Sequence, residues 1–208
     1  MASSQIFLFA TASLALIAAP GPDMIYVLTR GIAKGKKVGL LSAAGITAGI
    51  LVHTLLASAG LAALFKTSPI AFLIVKYAGA GYLLFLGAKT LLSSGKSAVH
   101  GTDGPANKKT AFWQGVVTNV LNPKVALFIL AFLPQFISES AASPASQMLI
   151  LGSCYAAITL LMYGLLGYFT GNVGAWLKSH PKAEQWIQRF SGLVLIGLGL
   201  RLAFLQQK

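Results

Sequence analysis

Apolar residues dominate six long stretches of the chain, and most polar residues lie in the short connections between them. The six apolar stretches cover about 5–28, 38–65, 69–92, 112–134, 146–171 and 187–206. A helix needs about 20 apolar residues to cross a hydrocarbon layer of about 30 Å. The first stretch has no Lys or Arg before its apolar residues, which favours a membrane span over a signal peptide. The pattern therefore predicts an all-α integral membrane protein with six transmembrane helices.

Composition supports a membrane protein and argues against a water-soluble one. Hydrophobic residues make up 56% of the 208 residues, and charged residues only 10%. A soluble domain has about a quarter charged residues. The net charge of +12 does not indicate nucleic-acid binding, because the basic residues are spread over short connections instead of forming one stripe.

The distribution of basic residues predicts the orientation in the membrane. The first, third and fifth connections contain Arg30, Lys34, Lys36, Lys37, Lys89, Lys96, Lys108, Lys109, Lys178, Lys182 and Arg189. The opposite side has only Lys66, Arg201 and Lys208. Because cytoplasmic connections are enriched in Lys and Arg, both termini are predicted to lie on the side away from the cytoplasm.

The chain is predicted to be one transmembrane domain built from two related halves, about 1–93 and about 112–208. A Gly-, Ser- and Lys-rich stretch at about 94–111 separates them and is expected to be a cytoplasmic loop. The series basic, aromatic, small, Gly, then Gly, then basic occurs in span three from Lys76 to Lys89 and in span six from Arg189 to Arg201. Three spans is an odd number, so the second half enters the membrane from the opposite side. This predicts two inverted three-helix repeats.

Prolines interrupt spans one and four at matching places, Pro20-Gly21-Pro22 and Asn122-Pro123. Proline lacks an amide donor and clashes with the preceding turn, at a cost of about 3 kcal/mol in a helix interior. Gly21 adds a residue that tolerates positive φ. Broken backbone at membrane depth is tolerated only where protein or a cavity covers it. Two such breaks in corresponding positions predict the binding site of a transporter.

Asp23 and Lys124 each follow the proline of their own break, and ionisable residues inside a span indicate function. Their opposite signs predict a salt bridge in the substrate-free state. We hypothesise that each exchanges the other for the ammonium or carboxylate of a zwitterionic substrate. Asp23 is also a candidate proton carrier, because burial disfavours a carboxylate whereas a nearby Lys124 favours it. The alternative is a structural ion pair that locks two helices together.

Four further polar residues lie in or near these spans. Asn119 and Asn122 flank the second break and either line the pathway or cap its broken helix. Tyr26 lies one turn beyond the first break, where its hydroxyl faces the site or serves ordinary packing. His53, in span two, is either a proton relay or a hydrogen-bonded packing residue.

Small residues at four-residue spacing predict close contact between helices. Gly45 and Gly49 form one such pair, and Gly167 and Gly171 form another. In membranes, small residues let helix backbones approach closely. These glycines are therefore expected to build the bundle without contacting substrate.

Several kinds of chemistry are not expected from this sequence. No Gly-rich stretch ends in the Gly-Lys-Ser or Gly-Lys-Thr of a phosphate-binding loop. The three histidines are well separated and Cys154 is the one cysteine, which excludes a thiol pair and predicts neither a metal site nor a cofactor. An intramembrane enzyme would need Asp23 with His53 as its acid–base pair, and no nucleophile accompanies them.

Two motifs give the chain a family resemblance: APGPDMIYVLTRGIAKGKKVGLLSAAGITAGILVH at 19–53 and NVLNPKVALFILAFLPQF at 119–136. With these motifs the chain resembles the LysE-type (lysine exporter) family, in its homoserine/threonine-efflux branch. The resemblance implies proton-coupled export of amino acids across the bacterial cytoplasmic membrane, with both termini then periplasmic. The family's motifs fall on Pro20, Gly21, Pro22 and Asp23, and on Asn122, Pro123 and Lys124.

The sequence therefore predicts a secondary transporter that exports a small amino acid by alternating access, with substrate, protons and the lipid bilayer as partners. A neutral amino acid such as threonine, homoserine or leucine fits better than lysine, because Asp23 is the one clear acid within the spans. Export of basic amino acids or of metal cations stays open as an alternative, as does association into a homo-oligomer.

Overall fold

The computed structural model describes residues 3–67, 69–92, 108–137, 143–170, 172 and 180–204, and every regular element in these ranges is helical. The α-helices are α1 (Ser3–Ala18), α2 (Pro22–Lys34), α3 (Lys36–Thr67), α4 (Pro69–Leu92), α5 (Lys108–Val120), α6 (Pro123–Leu127), α7 (Pro144–Tyr168) and α8 (Pro181–Phe204). A π-helical turn (Phe128–Phe132) and a 3-10 turn (Leu133–Phe136) continue α6. The predicted all-α class is confirmed for these residues.

Both predicted helix breaks are present. The axis turns by 54° between Gln5–Ala18 and Pro22–Lys34, and by 53° between Lys108–Val120 and Pro123–Phe136. In each case the new helix begins at a proline. Proline lacks an amide N–H, but an N–H in the first turn of a helix has no partner within the helix, and the fixed φ of proline suits that position. The two spans are thus bent at matching places and by nearly the same angle.

The length and apolarity of the helices account for part of the predicted span count. Among the described residues, two helical segments can cross a membrane by themselves, Lys36–Gly60 within α3 and Pro144–Tyr168. The count rises to four when each bent pair is taken as one span. Helices α4 and α8 occupy the other two predicted stretches, and Gly192–Phe204 is a shorter apolar segment. A multi-pass membrane protein agrees with these findings, whereas six spans stay a prediction.

Helices α3 and α7 pack side by side in opposite directions. Gly39, at the start of α3, lies against Gly167, at the end of α7, and a Cβ on Gly39 would be 2.6 Å from the Gly167 carbonyl oxygen. Thr54, further along α3, lies against Gly152, near the start of α7. Opposite directions are what two inverted halves require of their second helices.

Helix α5 also approaches α3 closely, and this contact positions the site. A Cβ on Gly45 would lie 2.1 Å from the Phe112 carbonyl oxygen, and one on Gly49 would lie 2.7 Å from the Cβ of Asn119. The predicted close approach at these two glycines is confirmed. Gly171, of the second predicted pair, lies outside the described residues, as does most of the predicted loop at 94–111.

Candidate functional site

The two helix breaks lie next to each other and enclose a cluster of buried polar side chains. Asp23, Asn119, Asn122 and Lys124 are 2%, 0%, 2% and 3% exposed. They come from the start of α2, the last turn of α5, the second break and the first turn of α6. The structure therefore brings together the polar residues that the sequence places at the two breaks, and it seals them from solvent.

The C-terminal end of α1 is closed by side chains from the second half of the chain. Lys124 Nζ donates hydrogen bonds to the carbonyl oxygens of Leu16, at 3.0 Å, and Ala19, at 2.9 Å. The hydroxyl of Tyr163, in α7, donates to the Ile17 carbonyl oxygen at 3.0 Å. The last carbonyls of a helix have no partner within the helix. Lys124 and Tyr163 supply those partners where the hydrocarbon cannot.

Gly21 serves this arrangement by its small size and does not use the positive φ that glycine tolerates. Its φ is −171° and its ψ is −179°, an extended backbone that any residue adopts. A Cβ at this position would lie 3.1 Å from Lys124 Nζ, closer than nine in ten real Cβ contacts. Glycine therefore leaves room for the lysine ammonium group beside the break.

Asp23 makes one hydrogen bond and keeps one oxygen without a partner. Its Oδ2 accepts from Asn119 Nδ2 at 2.8 Å, and its Oδ1 has no hydrogen-bond partner. The salt bridge predicted between Asp23 and Lys124 is not formed within 4.0 Å in the described part of the chain. The hydrogen bonds of Lys124 go instead to the carbonyls at the end of α1.

His53 reaches the cluster through Asn119 and not by direct contact with Asp23. Its Nε2 donates to the Asn119 carbonyl oxygen, 3.2 Å away, in the last turn of α5. A carbonyl only accepts, so this bond places a proton on Nε2. His53 is thus a hydrogen-bonded residue that joins α3 to α5, which is one of the two roles predicted for it. The proton relay stays a prediction.

Asn122 is the N-cap of α6. Its Oδ1 accepts from the backbone N–H of Lys124 at 3.0 Å, which confirms the capping role considered for it. Its Nδ2 makes no hydrogen bond within 3.5 Å, and neither does Oδ1 of Asn119. The cluster therefore contains two unpaired acceptors, on Asp23 and Asn119, and one unpaired donor, on Asn122. Buried polar atoms without partners are rare and call for a ligand, a water or strain to explain them.

Tyr26 lies outside this cluster. Its hydroxyl donates to the Ala111 carbonyl oxygen at 2.7 Å, in the first turn of α5 and about 12 Å along that helix from Asn119. The guanidinium of Arg30 lies over the Tyr26 ring, 5.6 Å from its centre, and also donates to Gln114 Oε1. These contacts fasten α2 to α5 on the side of the breaks that the charge distribution assigns to the cytoplasm.

Tyr163 is the member of the site that the sequence did not identify. A tyrosine in an apolar stretch carries no local sign of its partner, which here lies 146 positions earlier. One available hint was its position counted from the start of span five, which is similar to that of His53 counted from the start of span two. Both residues bond the last turn of a broken helix.

The structure shows no cluster of metal-binding side chains in the part of the chain that it describes. No three His, Cys, Asp or Glu side chains lie close enough together there to hold a metal ion.

Comparison with known proteins identifies relatives over most of the chain. The family model described as LysE type translocator matches residues 14–206. A leucine efflux protein of Enterobacter sp. (strain 638) is 36% identical over 192 residues, which cover 91% of this chain and 90% of the relative. One of Klebsiella pneumoniae is also 36% identical over 192 residues, covering 92% and 91%. An uncharacterized membrane protein of Bacillus subtilis, YrhP, is 29% identical over 195 residues, covering 89% and 92%. No solved structure matches the chain.

Proposed function

Since this chain belongs to the LysE type translocator family, we propose that it is a secondary transporter that exports a small neutral amino acid from the bacterial cytoplasm. A translocator moves its substrate unchanged, so the chain is a transporter and not an enzyme. Relatives named leucine efflux protein make leucine the first substrate to test, with threonine and homoserine next.

The observation that carries this proposal is the set of unpaired polar atoms where the two broken spans meet. Discontinuous helices at mid-membrane form the substrate site in many secondary transporters. The oxygens of Asp23 and Asn119 suit the ammonium of an amino acid, and the Nδ2 of Asn122 suits its carboxylate. The start of α2 has no side-chain cap and also favours a carboxylate.

The charges in the cluster favour a neutral amino acid over a basic one. Asp23 is the one buried carboxylate among the described residues, and one substrate ammonium is enough to pair with it. A lysine substrate would bring a second cation, which has no acidic partner in the described cluster. Lys124 does not receive the substrate carboxylate in this account, because its hydrogen bonds go to the end of α1.

Proton coupling follows if Asp23 Oδ1 binds either a proton or the substrate ammonium, but not both. Competition for one oxygen lets a proton displace the substrate on the periplasmic side and the substrate displace a proton on the cytoplasmic side. His53 is the second candidate for the proton pathway, because it bonds the residue that bonds Asp23. An uncharged Asn at position 23 would abolish this exchange.

We further infer that the chain is a single domain of two inverted three-span repeats, about 1–93 and about 112–208, with periplasmic termini and alternating access between them. The two bends of 54° and 53° support this symmetry. The opposite directions of α3 and α7 support it as well. His53 and Tyr163, on those two helices, each bond the end of a broken helix.

Reconstituted vesicles test the function directly. Purified protein is placed in liposomes loaded with labelled leucine, and efflux is measured with and without an acidic outside buffer and an uncoupler. We expect the pH gradient to accelerate efflux and the uncoupler to remove the acceleration. Lysine, threonine, homoserine and Cd²⁺ in the same assay test the alternative substrates.

A matched pair of variants tests the site. Asp23→Asn is expected to abolish efflux driven by the pH gradient, whereas Asp103→Asn, in the connection at 94–111, is expected to leave it unchanged. Unfolding temperature is measured for both proteins so that loss of fold is recognised. Wild-type efflux by a folded Asp23→Asn protein would remove Asp23 from the mechanism.

A further inference from the structure

The end of α1 has the properties of a binding site for a monovalent cation. Its last carbonyls point into the break, and a helix C-terminus carries a partial negative charge. Leu16 and Ala19 turn two carbonyl oxygens toward one point, at 3.0 and 2.9 Å from a buried nitrogen. In broken-helix transporters, such carbonyls and half-helix C-terminal ends coordinate a sodium ion or proton.

In this protein the cation at that point is the ammonium of Lys124. The side chain is buried, its hydrogen bonds go to carbonyl oxygens, and no carboxylate of the described residues lies within 4.0 Å of it. Carbonyl oxygens therefore contact the ammonium directly, as they would contact a free cation. Gly21 opens the space, since a Cβ there would lie 3.1 Å from Nζ.

We propose that the C-terminal end of α1 is a monovalent-cation site that Lys124 occupies as a tethered ligand. The tether also joins the two broken spans, because the ammonium at the end of α1 belongs to the first turn of α6. The protein then needs no free sodium or potassium at this position. The proposal does not depend on which substrate is exported, and binding to the emptied site can be measured without transport.

Removal of the lysine side chain should expose the site to a free cation. The atoms that Lys124→Ala removes, three carbons and the nitrogen, match n-propylammonium. This ion can therefore place its nitrogen between the two carbonyl oxygens. We expect this variant to unfold at a lower temperature than the wild type. n-Propylammonium should raise its midpoint by about 3–6 °C at ten times its dissociation constant.

Matched controls separate cation binding from other effects. Tetramethylammonium supplies the same ionic strength without an N–H donor, and 1-propanol fills a similar volume without charge, so neither should stabilise the variant to this extent. Wild-type protein and Lys89→Ala, which removes an exposed lysine of α4, should not respond to n-propylammonium. Lys124→Met should be destabilised and unresponsive, because its side chain fills the space without a donor.

The proposal is overturned if Lys124→Ala has the same midpoint in all three additives, or if it fails to fold even with n-propylammonium. It is also overturned if Lys124→Met unfolds at the wild-type temperature, because the carbonyls would then need no cation. A failure of leucine efflux in the wild type would leave these stability measurements unaffected.

Discussion

Gly49→Ala is a sharp test of the packing that places Asn119 in the site. Gly49 lies in α3, and a Cβ there would be 2.7 Å from both Cβ and Oδ1 of Asn119 in α5. Contacts this short force a shift of the neighbouring atoms. Cβ of Asn119 is fixed to the backbone, so either α5 moves away or the Asn119 side chain turns. In both cases the 2.8 Å hydrogen bond to Asp23 is disturbed.

The expected magnitude comes from two opposing terms. An added methyl group in a packed interior costs about 1–3 kcal/mol, whereas Gly to Ala in a helix gains about 0.5–1 kcal/mol. Gly60→Ala, in the same helix, has no atom within 4 Å of the new Cβ and should show only the gain. The stability gained by replacing Gly with Ala in a helix is the same for both variants and cancels in the comparison. The cost of the added methyl group remains, so Gly49→Ala should unfold about 2–12 °C below Gly60→Ala.

Thermal unfolding of the two purified variants measures this difference, and leucine efflux per folded molecule measures the effect on the site. We expect Gly49→Ala to be both less stable and slower, and Gly60→Ala to be at least as stable as the wild type. Equal midpoints for the two variants would refute the close approach of α3 and α5 at Asn119. A destabilised Gly49→Ala with wild-type efflux would instead show that the Asn119–Asp23 bond plays no part in transport.

Two further substitutions separate the structural from the functional contacts. Tyr163→Phe leaves the Ile17 carbonyl without its donor, so the free energy of unfolding should fall by about 1–3 kcal/mol. Tyr168→Phe, at an exposed position of the same helix, is the control and should change stability little. Denaturant unfolding of both variants measures the difference. Asn122→Ser should retain the cap on the Lys124 amide but lose the free Nδ2, so leucine efflux should fall while stability stays nearly that of the wild type. Asn122→Ala should also lose about 0.5–2 kcal/mol of stability, because the cap is removed. Wild-type efflux by the Ser variant would contradict a binding role for Nδ2.

The sequence predicts the two helix breaks well because their cause is local. Pro22 and Pro123 lack the amide that would continue the helix before them, and each is the first residue of a new helix. The cap of α6 is local too, since Asn122 directly precedes the proline and bonds an amide two residues later. Patterns within a few residues were sufficient for these features.

The partners of the charged residues depend on the whole fold and were not predictable in the same way. Opposite signs suggested that Asp23 and Lys124 would pair with each other. Lys124 instead bonds carbonyls 105 and 108 positions away, and Asp23 bonds an amide 96 positions away. A helix end that points into the protein is visible only once the helices are placed.

The different surroundings of the two charges follow from the helix end that each one meets. The end of α1 presents carbonyl oxygens, so a cation is stabilised there and Lys124 occupies the position. Asp23 lies in the first turn of α2, whose amide groups favour an anion, and near the end of α5, whose Asn119 carbonyl oxygen accepts from His53 and repels an anion. Asp23 is therefore left with one amide partner and one free oxygen. Of two charges at matching positions, Lys124 is therefore hydrogen-bonded to the end of a helix, whereas Asp23 keeps an oxygen without a hydrogen-bond partner.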